Sequence, residues 1–324
     1  MRSTSAVLLA VTVVTLGLPA HAAAEVTASC AVSTLPNPAD GTATVTAMAG
    51  TTTFYGSVSP GVDTGSGVVW RDGAIVDTLA FVPADANNSG VLVGYRYDSQ
   101  TRWSQPVGQR PGEQPVDIGG AQDSVYEINA AGTFVGRGTV GRWPYYFSVA
   151  FYGSADTWSS YPLESSLDAP VRAIAIDDDG LVVGLSDHDR DGALTAAVWR
   201  GGTGDAPQDI GPADELDPRD IDAGTVLVNR VLDEDIALVD VRSRTVTPVP
   251  GSTGYLGSSL KNGTVLAQGP GGYALFRGAT RVDLTPPAGS TITAAGTLSA
   301  DGTTVGGQTR TSAGALVPTV WRCG

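Results

Sequence analysis

INAAGTFVG at residues 128–136, IDDDGLVVG at 176–184 and LSADGTTVGG at 298–307 are three copies of one phrase, roughly A-x-x-(I/L)-(N/D/S)-x-x-G-x-x-V-G. ANNSGVLVG at 86–94 is a fourth, IDAGTVLV at 221–228 and LKNGTVLA at 260–267 are shorter relatives, and TAMAGTTTFYG at 46–56 is the most diverged. The anchor glycines Gly50, Gly90, Gly132, Gly180, Gly224, Gly263 and Gly302 divide the chain into seven units of 39 to 48 residues. A period near 40, two-residue apolar alternation and Gly/Asp turns are the signature of propeller blades. The spacing predicts an all-β, seven-bladed β-propeller of four-stranded blades.

Each unit parses into four short strands. In the third unit these are 125–130, 133–137, 147–152 and 160–163; in the fourth, 171–176, 181–185, 196–200 and 208–210. The glycine between the first two strands supplies the positive φ of a tight hairpin, and Asn, Asp or Ala before it suit that turn. Alternation such as Val171, Ala173 and Ala175 turns one face of a strand inward. An aromatic follows the anchor glycine by about 19 residues in Trp70, Phe151, Trp199 and Trp321, and earlier in Phe276; these rings are expected to wedge between adjacent sheets. Unit two has Gln109 at that position, and unit five only Leu238 and Val239.

The two ends of the chain complement each other. The seventh unit stops after its third strand, at Val320-Trp321-Arg322-Cys323-Gly324, while Cys30–Pro36 resembles the fourth strands of other units. The N-terminal strand is therefore expected to complete the last blade and close the ring. Cys30 and Cys323, the only cysteines, fall on neighbouring strands in that arrangement and are expected to form a disulfide.

Residues 1–24 read as a secretory signal peptide, with one arginine, an apolar run from Ala6 to Leu18 and small residues at Ala22 and Ala24, where cleavage fits equally well. Residues 25–324 then form the propeller, secreted to the extracellular space, without a membrane span and expected as a monomer. The formal charge is −14, from 33 Asp and Glu against 19 Lys and Arg, and so acidic a surface argues against nucleic-acid partners. Lys261 is the sole lysine, which reads as compositional bias.

The phrases INAAGTFVG…VAFYG and IDDDGLVVG…AAVWRGG resemble the HAF-type extracellular repeats of secreted bacterial proteins. The resemblance covers essentially the whole mature chain and implies a propeller-like repeat fold and export. It brings no catalytic residues.

Chemistry is sought where the repeat is interrupted. The segments between strands two and three of units two to four carry Arg102 and Trp103, then Arg142, Trp143, Tyr145 and Tyr146, then the acidic run 187–191. Arg and aromatic side chains of this kind make contact hot spots, so they form a candidate patch for an extracellular glycan or protein. Asp187, Asp189 and Asp191, followed by Gly192, match the opening D-x-D-x-D-G of a calcium loop, and Ca²⁺ is the one cofactor expected; Val198 at the twelfth position excludes an EF-hand. Blade-to-blade loops are expected to add Asp40, Asp85, Asp123, Asp168, Asp214, Glu215 and Asp217 on the same face, with no pair standing out. The leading reading is a secreted, non-enzymatic binding propeller. The alternative is a glycoside hydrolase or polysaccharide lyase using two of these carboxylates. After removal of the leader His188 is the only histidine, and neither a G-x-S-x-G serine nor a His/Cys zinc set is available.

Overall fold

The computed structural model describes residues 29–39, 41–59, 65–98, 103–119, 124–142, 145–163, 172–186, 193–201 and 207–324. They form seven four-stranded antiparallel sheets arranged as a β-propeller, with no helix among the described residues. Blades 1 to 6 span residues 42–79, 82–117, 124–162, 172–212, 216–248 and 256–283. Blade 7 takes three strands from 290–323 and its outermost from Cys30–Thr34. That closing strand pairs Cys30 with Cys323 and Thr34 with Thr319, and the Cys30–Cys323 disulfide links positions 293 apart in sequence.

The core is a set of slabs rather than one central mass. Seven apolar clusters each lie between two adjacent sheets, as where Ala175, Val183 and Val198 of blade 4 meet Ile221, Val226 and Val228 of blade 5. The aromatic wedges are buried there. Trp70 donates its indole N–H to the Pro36 carbonyl at 2.8 Å, and Trp321 donates to Thr285 at 2.8 Å, so each ring pins the chain just before its own blade begins. Blade 2, which has Gln109 instead, borrows a ring: Trp158 of blade 3 packs against Gly108, where a Cβ would lie 1.9 Å from the indole, and stacks on Phe134 at 6.2 Å.

Several positions of the repeated phrase have a mechanical explanation. In the first strand of every blade the register slips at a β-bulge, once in blades 1 to 6 and twice in blade 7. At Gly184, the last residue of one copy, a Cβ would stand 1.9 Å from the Arg172 carbonyl oxygen of that bulged strand, so only glycine fits. The Asn or Asp of the phrase closes its own hairpin and grips the next blade. Asn129 Oδ1 accepts the Thr133 amide at 2.9 Å while its Nδ2 donates to the Asp177 carbonyl at 3.0 Å, and Asp177 accepts from Leu181 and from Gly224 of blade 5. The shortened copies use a different turn. Ala223-Gly224 and Asn262-Gly263 both carry positive φ, the two-residue turn that suits a hairpin's twist.

Candidate functional site

The first strands line an axial channel, and just past each bulge stands Ala47, Asp85, Glu127, Ala175, Asp220, Ser259 or Thr297. Three of these seven positions are carboxylates, and each latches onto the following blade. Asp85 Oδ2 accepts the Ile128 amide at 2.9 Å, Glu127 Oε2 the Ile176 amide at 2.9 Å, and Asp220 Oδ2 the Leu260 amide at 2.6 Å. Asp220 also accepts from Ser259 Oγ at 3.1 Å and, through Oδ1, from its neighbour Ile221 at 2.8 Å.

Lys261 reaches into this ring from blade 6. It occupies the repeat position that is Asn129 in blade 3 and Asp177 in blade 4, beside the two-residue turn. Its Nζ lies 2.5 Å from Glu127 Oε1, across the channel, and 3.6 Å from Asp220 Oδ1. One ammonium thus faces three carboxylates at a waist. On the side of the first-to-second-strand turns lies a cavity of about 90 Å³, and on the side where first strands begin one of about 160 Å³.

Burial and charge pull the waist's titrations in opposite directions. Burial raises Glu127 to about 8, against the lowering attraction of Lys261 and with further upward pressure from Asp220 and Asp85. Burial likewise raises Asp85 to about 6, against the Ile128 amide and Lys261. Asp222, nearby, is raised by burial against Lys261. Burial disfavours the Lys261 ammonium too, but Asp220, Glu127 and Asp85 outweigh it and hold the lysine well above its ordinary range. The waist therefore keeps its cation through neutral pH, while Glu127 holds its proton up to about pH 8 and Asp85 up to about pH 6.

This arrangement ties the blades to one another across the axis. Every one of the three carboxylates already accepts backbone hydrogen bonds, and the flanking cavities fall below the roughly 300–1,000 Å³ of ordinary ligand pockets. Among the described residues, no three His, Cys, Asp or Glu side chains are arranged to hold a metal ion.

The residues expected to carry function are distributed as follows. Arg102, Trp143, Asp187, Asp189 and Asp191 lie outside the described residues, as do Asp40, Asp123 and Asp168. Trp103 opens the third strand of blade 2, and Arg142 closes the second strand of blade 3 opposite Tyr145, with Tyr146 opposite Gly141. The expected loop of blade 3 is thus mostly paired strand: both strands have 10 residues, against 6 for their counterparts in blade 4. Asp85 is not in a connecting loop, as the sequence had suggested, but on a first strand in the channel, and Asp217 is also on a strand. Lys261 carries a structural task that composition alone concealed. The signal for the waist was present: Asp85, Glu127 and Asp220 each immediately precede the apolar residue of the phrase, which puts them at one height around the axis.

No family profile and no curated protein sequence matches this chain. Among solved structures it is similar to the acylaminoacyl peptidase of Pyrococcus horikoshii, at 10% identity and a TM-score of 0.61 over 83% of this chain and 49% of the peptidase. It is also similar to a prolyl endopeptidase, at 16% identity and a TM-score of 0.50 over 81% of this chain and 44% of that one. TolB from Acinetobacter baumannii follows at 14% identity and a TM-score of 0.45, over 75% of this chain and 69% of TolB. The chain spans about half the length of the peptidases it matches, and at such identities the likeness is one of fold. No helix among the described residues is long and apolar enough to cross a membrane.

Proposed function

We propose that this protein is an exported, non-enzymatic propeller that binds an extracellular partner, carbohydrate or protein, through the face bearing the second-to-third-strand hairpins. The observation that carries the reading is the waist. Carboxylates of blades 2, 3 and 5 converge with Lys261 there, yet all are engaged in holding blades together, which leaves recognition to the rim. Support for a contact surface comes from Trp103 and from the long strand pair that ends at Arg142 and resumes at Tyr145, on neighbouring blades. Export is supported by the leader-like residues 1–24, the disulfide and the resemblance to HAF-type repeats.

A glycan array, together with pull-down by purified extracellular proteins, tests the reading. Replacing Trp103 and Trp143 together should abolish any binding found, and undiminished binding would sink the patch. Steady turnover of a polysaccharide, lost on Glu127→Gln, would instead establish the hydrolase or lyase. Calcium at Asp187, Asp189 and Asp191 belongs to the same proposal: millimolar Ca²⁺ should raise the melting temperature relative to chelator, and an identical transition removes the site.

A further inference from the structure

A second concavity lies on the same face, where the short hairpin of blade 5 meets the connection into blade 6. Its volume is about 280 Å³, and Val231, Tyr255 and Leu256 line it with Asp217, Arg230 and Glu234 at its margin. Leu232, at the hairpin tip beside Val231, is 78% exposed, Leu256 59% and Val231 52%. Leaving large aliphatic side chains in water forgoes the free energy of their burial, and three together are not scattered surface residues. Most other exposed large apolar residues, such as Val76, Val116, Tyr161 and Val246, sit on the outermost strands of separate blades.

The walls are built in advance. Gly254 N–H donates to the Glu234 carbonyl at 2.6 Å and Val231 N–H to the Glu215 carbonyl at 3.1 Å, tying the hairpin to the connections on both sides. Asn229, buried beneath, accepts the Gly257 amide at 2.7 Å. The floor ring of Tyr255 is fixed edge-on to Phe276, with centroids 5.3 Å apart, and covered by Arg281 at 4.9 Å. The hollow therefore needs little ordering to receive a side chain.

Its electrostatics select the partner. Arg230 is shared between Asp233 and Asp235, each at 2.5 Å, and Arg219 pairs with Asp217, so neither cation is free to attract an anion. Glu234 has no cationic partner among the described residues and stands exposed at the edge of the apolar hollow. A two-fold contact with a second copy would set this acidic edge against itself on molecules of charge −14.

We propose that this groove docks a basic peptide segment of another protein, with a large aliphatic side chain in the hollow and an adjacent arginine or lysine on Glu234. The proposal is independent of the patch on blades 2 to 4.

Fluorescein-labelled hexapeptides of sequence Gly-Ser-Leu-Arg-Gly-Ser, Gly-Ser-Leu-Glu-Gly-Ser and Gly-Ser-Ser-Arg-Gly-Ser, titrated into the full chain, provide the test by anisotropy and methyl NMR. The Leu-Arg peptide should bind at least tenfold tighter than either control and shift the Val231, Leu232 and Leu256 methyl resonances. Leu232→Ser with Leu256→Ser should remove that binding, and their exposure means the melting transition should stay in place. Glu234→Gln should cut the preference for Leu-Arg over Leu-Glu about fivefold. Equal binding of the three peptides, or shifts confined to other residues, would overturn the assignment. So would a dimer in sedimentation that Leu232→Ser dissociates, because the occupant would then be a second copy.

Discussion

Replacing Lys261 by methionine keeps the length of the side chain and removes the ammonium that faces Glu127 and Asp220 in the waist. Nζ stands 2.5 Å from Glu127 and 3.6 Å from Asp220. With an effective dielectric of ~20 those contacts are gross attractions of about 7 and about 5 kcal/mol, most of which desolvation offsets. What the substitution leaves behind is a set of buried carboxylates without a counter-charge, a state that costs about 3–5 kcal/mol while they remain ionised. Protonation then decides how much of that cost appears. Glu127 is raised from 4.5 to about 8 and Asp85 from 3.8 to about 6. An acid whose folded pKa is raised contributes stability that is complete below its unfolded pKa and lost as pH rises through the folded value. The native protein should therefore lose stability from about pH 4 up to about pH 8. Without the ammonium both groups move higher still, so the variant's deficit grows with pH. Calorimetric melts should show a melting temperature roughly 6–15 °C below the native at pH 8, and less than half that deficit near pH 4.5. Adding Glu127→Gln should recover more than half of the pH 8 loss, since a neutral amide needs no counter-charge. A deficit independent of pH, or one under about 2 °C at pH 8, would refute the account of the waist.

Reduction of the Cys30–Cys323 bridge, or Cys30→Ser with Cys323→Ser, releases a closure spanning 293 residues and should lower unfolding free energy in urea by about 4–5 kcal/mol; a change under about 1 kcal/mol would show that strand pairing alone closes the ring. Gly184→Ala forces a Cβ to 1.9 Å from the Arg172 carbonyl and should cost about 1–3 kcal/mol by the same measurement, whereas an unaffected midpoint would mean that the bulge can relax. Asn129→Ala removes a turn acceptor and an interblade donor from a buried site, for a loss of about 1–3 kcal/mol, and Asn129→Asp, which retains the acceptor, should lose less.

These variants divide between what could be read along the chain and what could not. Blade count, the turn at each anchor glycine, the aromatic wedges and the closing strand with its disulfide are local or periodic properties. Each follows from a residue type at a fixed offset: Gly180 because the hairpin needs positive φ, Trp321 because sheets pack face to face, and Cys30 because the last unit lacks a strand. Strand ends were less legible. The hairpin of blade 3 continues to Arg142 and resumes at Tyr145, since a strand pair can extend beyond the sheet without any change in residue type.

The phrase at 128–136 and its relatives determine the scaffold of this protein because their glycines, turn residues and bulges impose the same local geometry seven times. Tertiary structure alone decides which unrepeated side chains meet. Glu127 and Lys261 are 134 positions apart, and only ring closure turns that separation into 2.5 Å. Leu256 joins Val231 in one hollow only because blade 6 begins against the hairpin of blade 5. Periodicity encodes distance along the chain, while proximity across the axis and between blades depends on how many units close the circle.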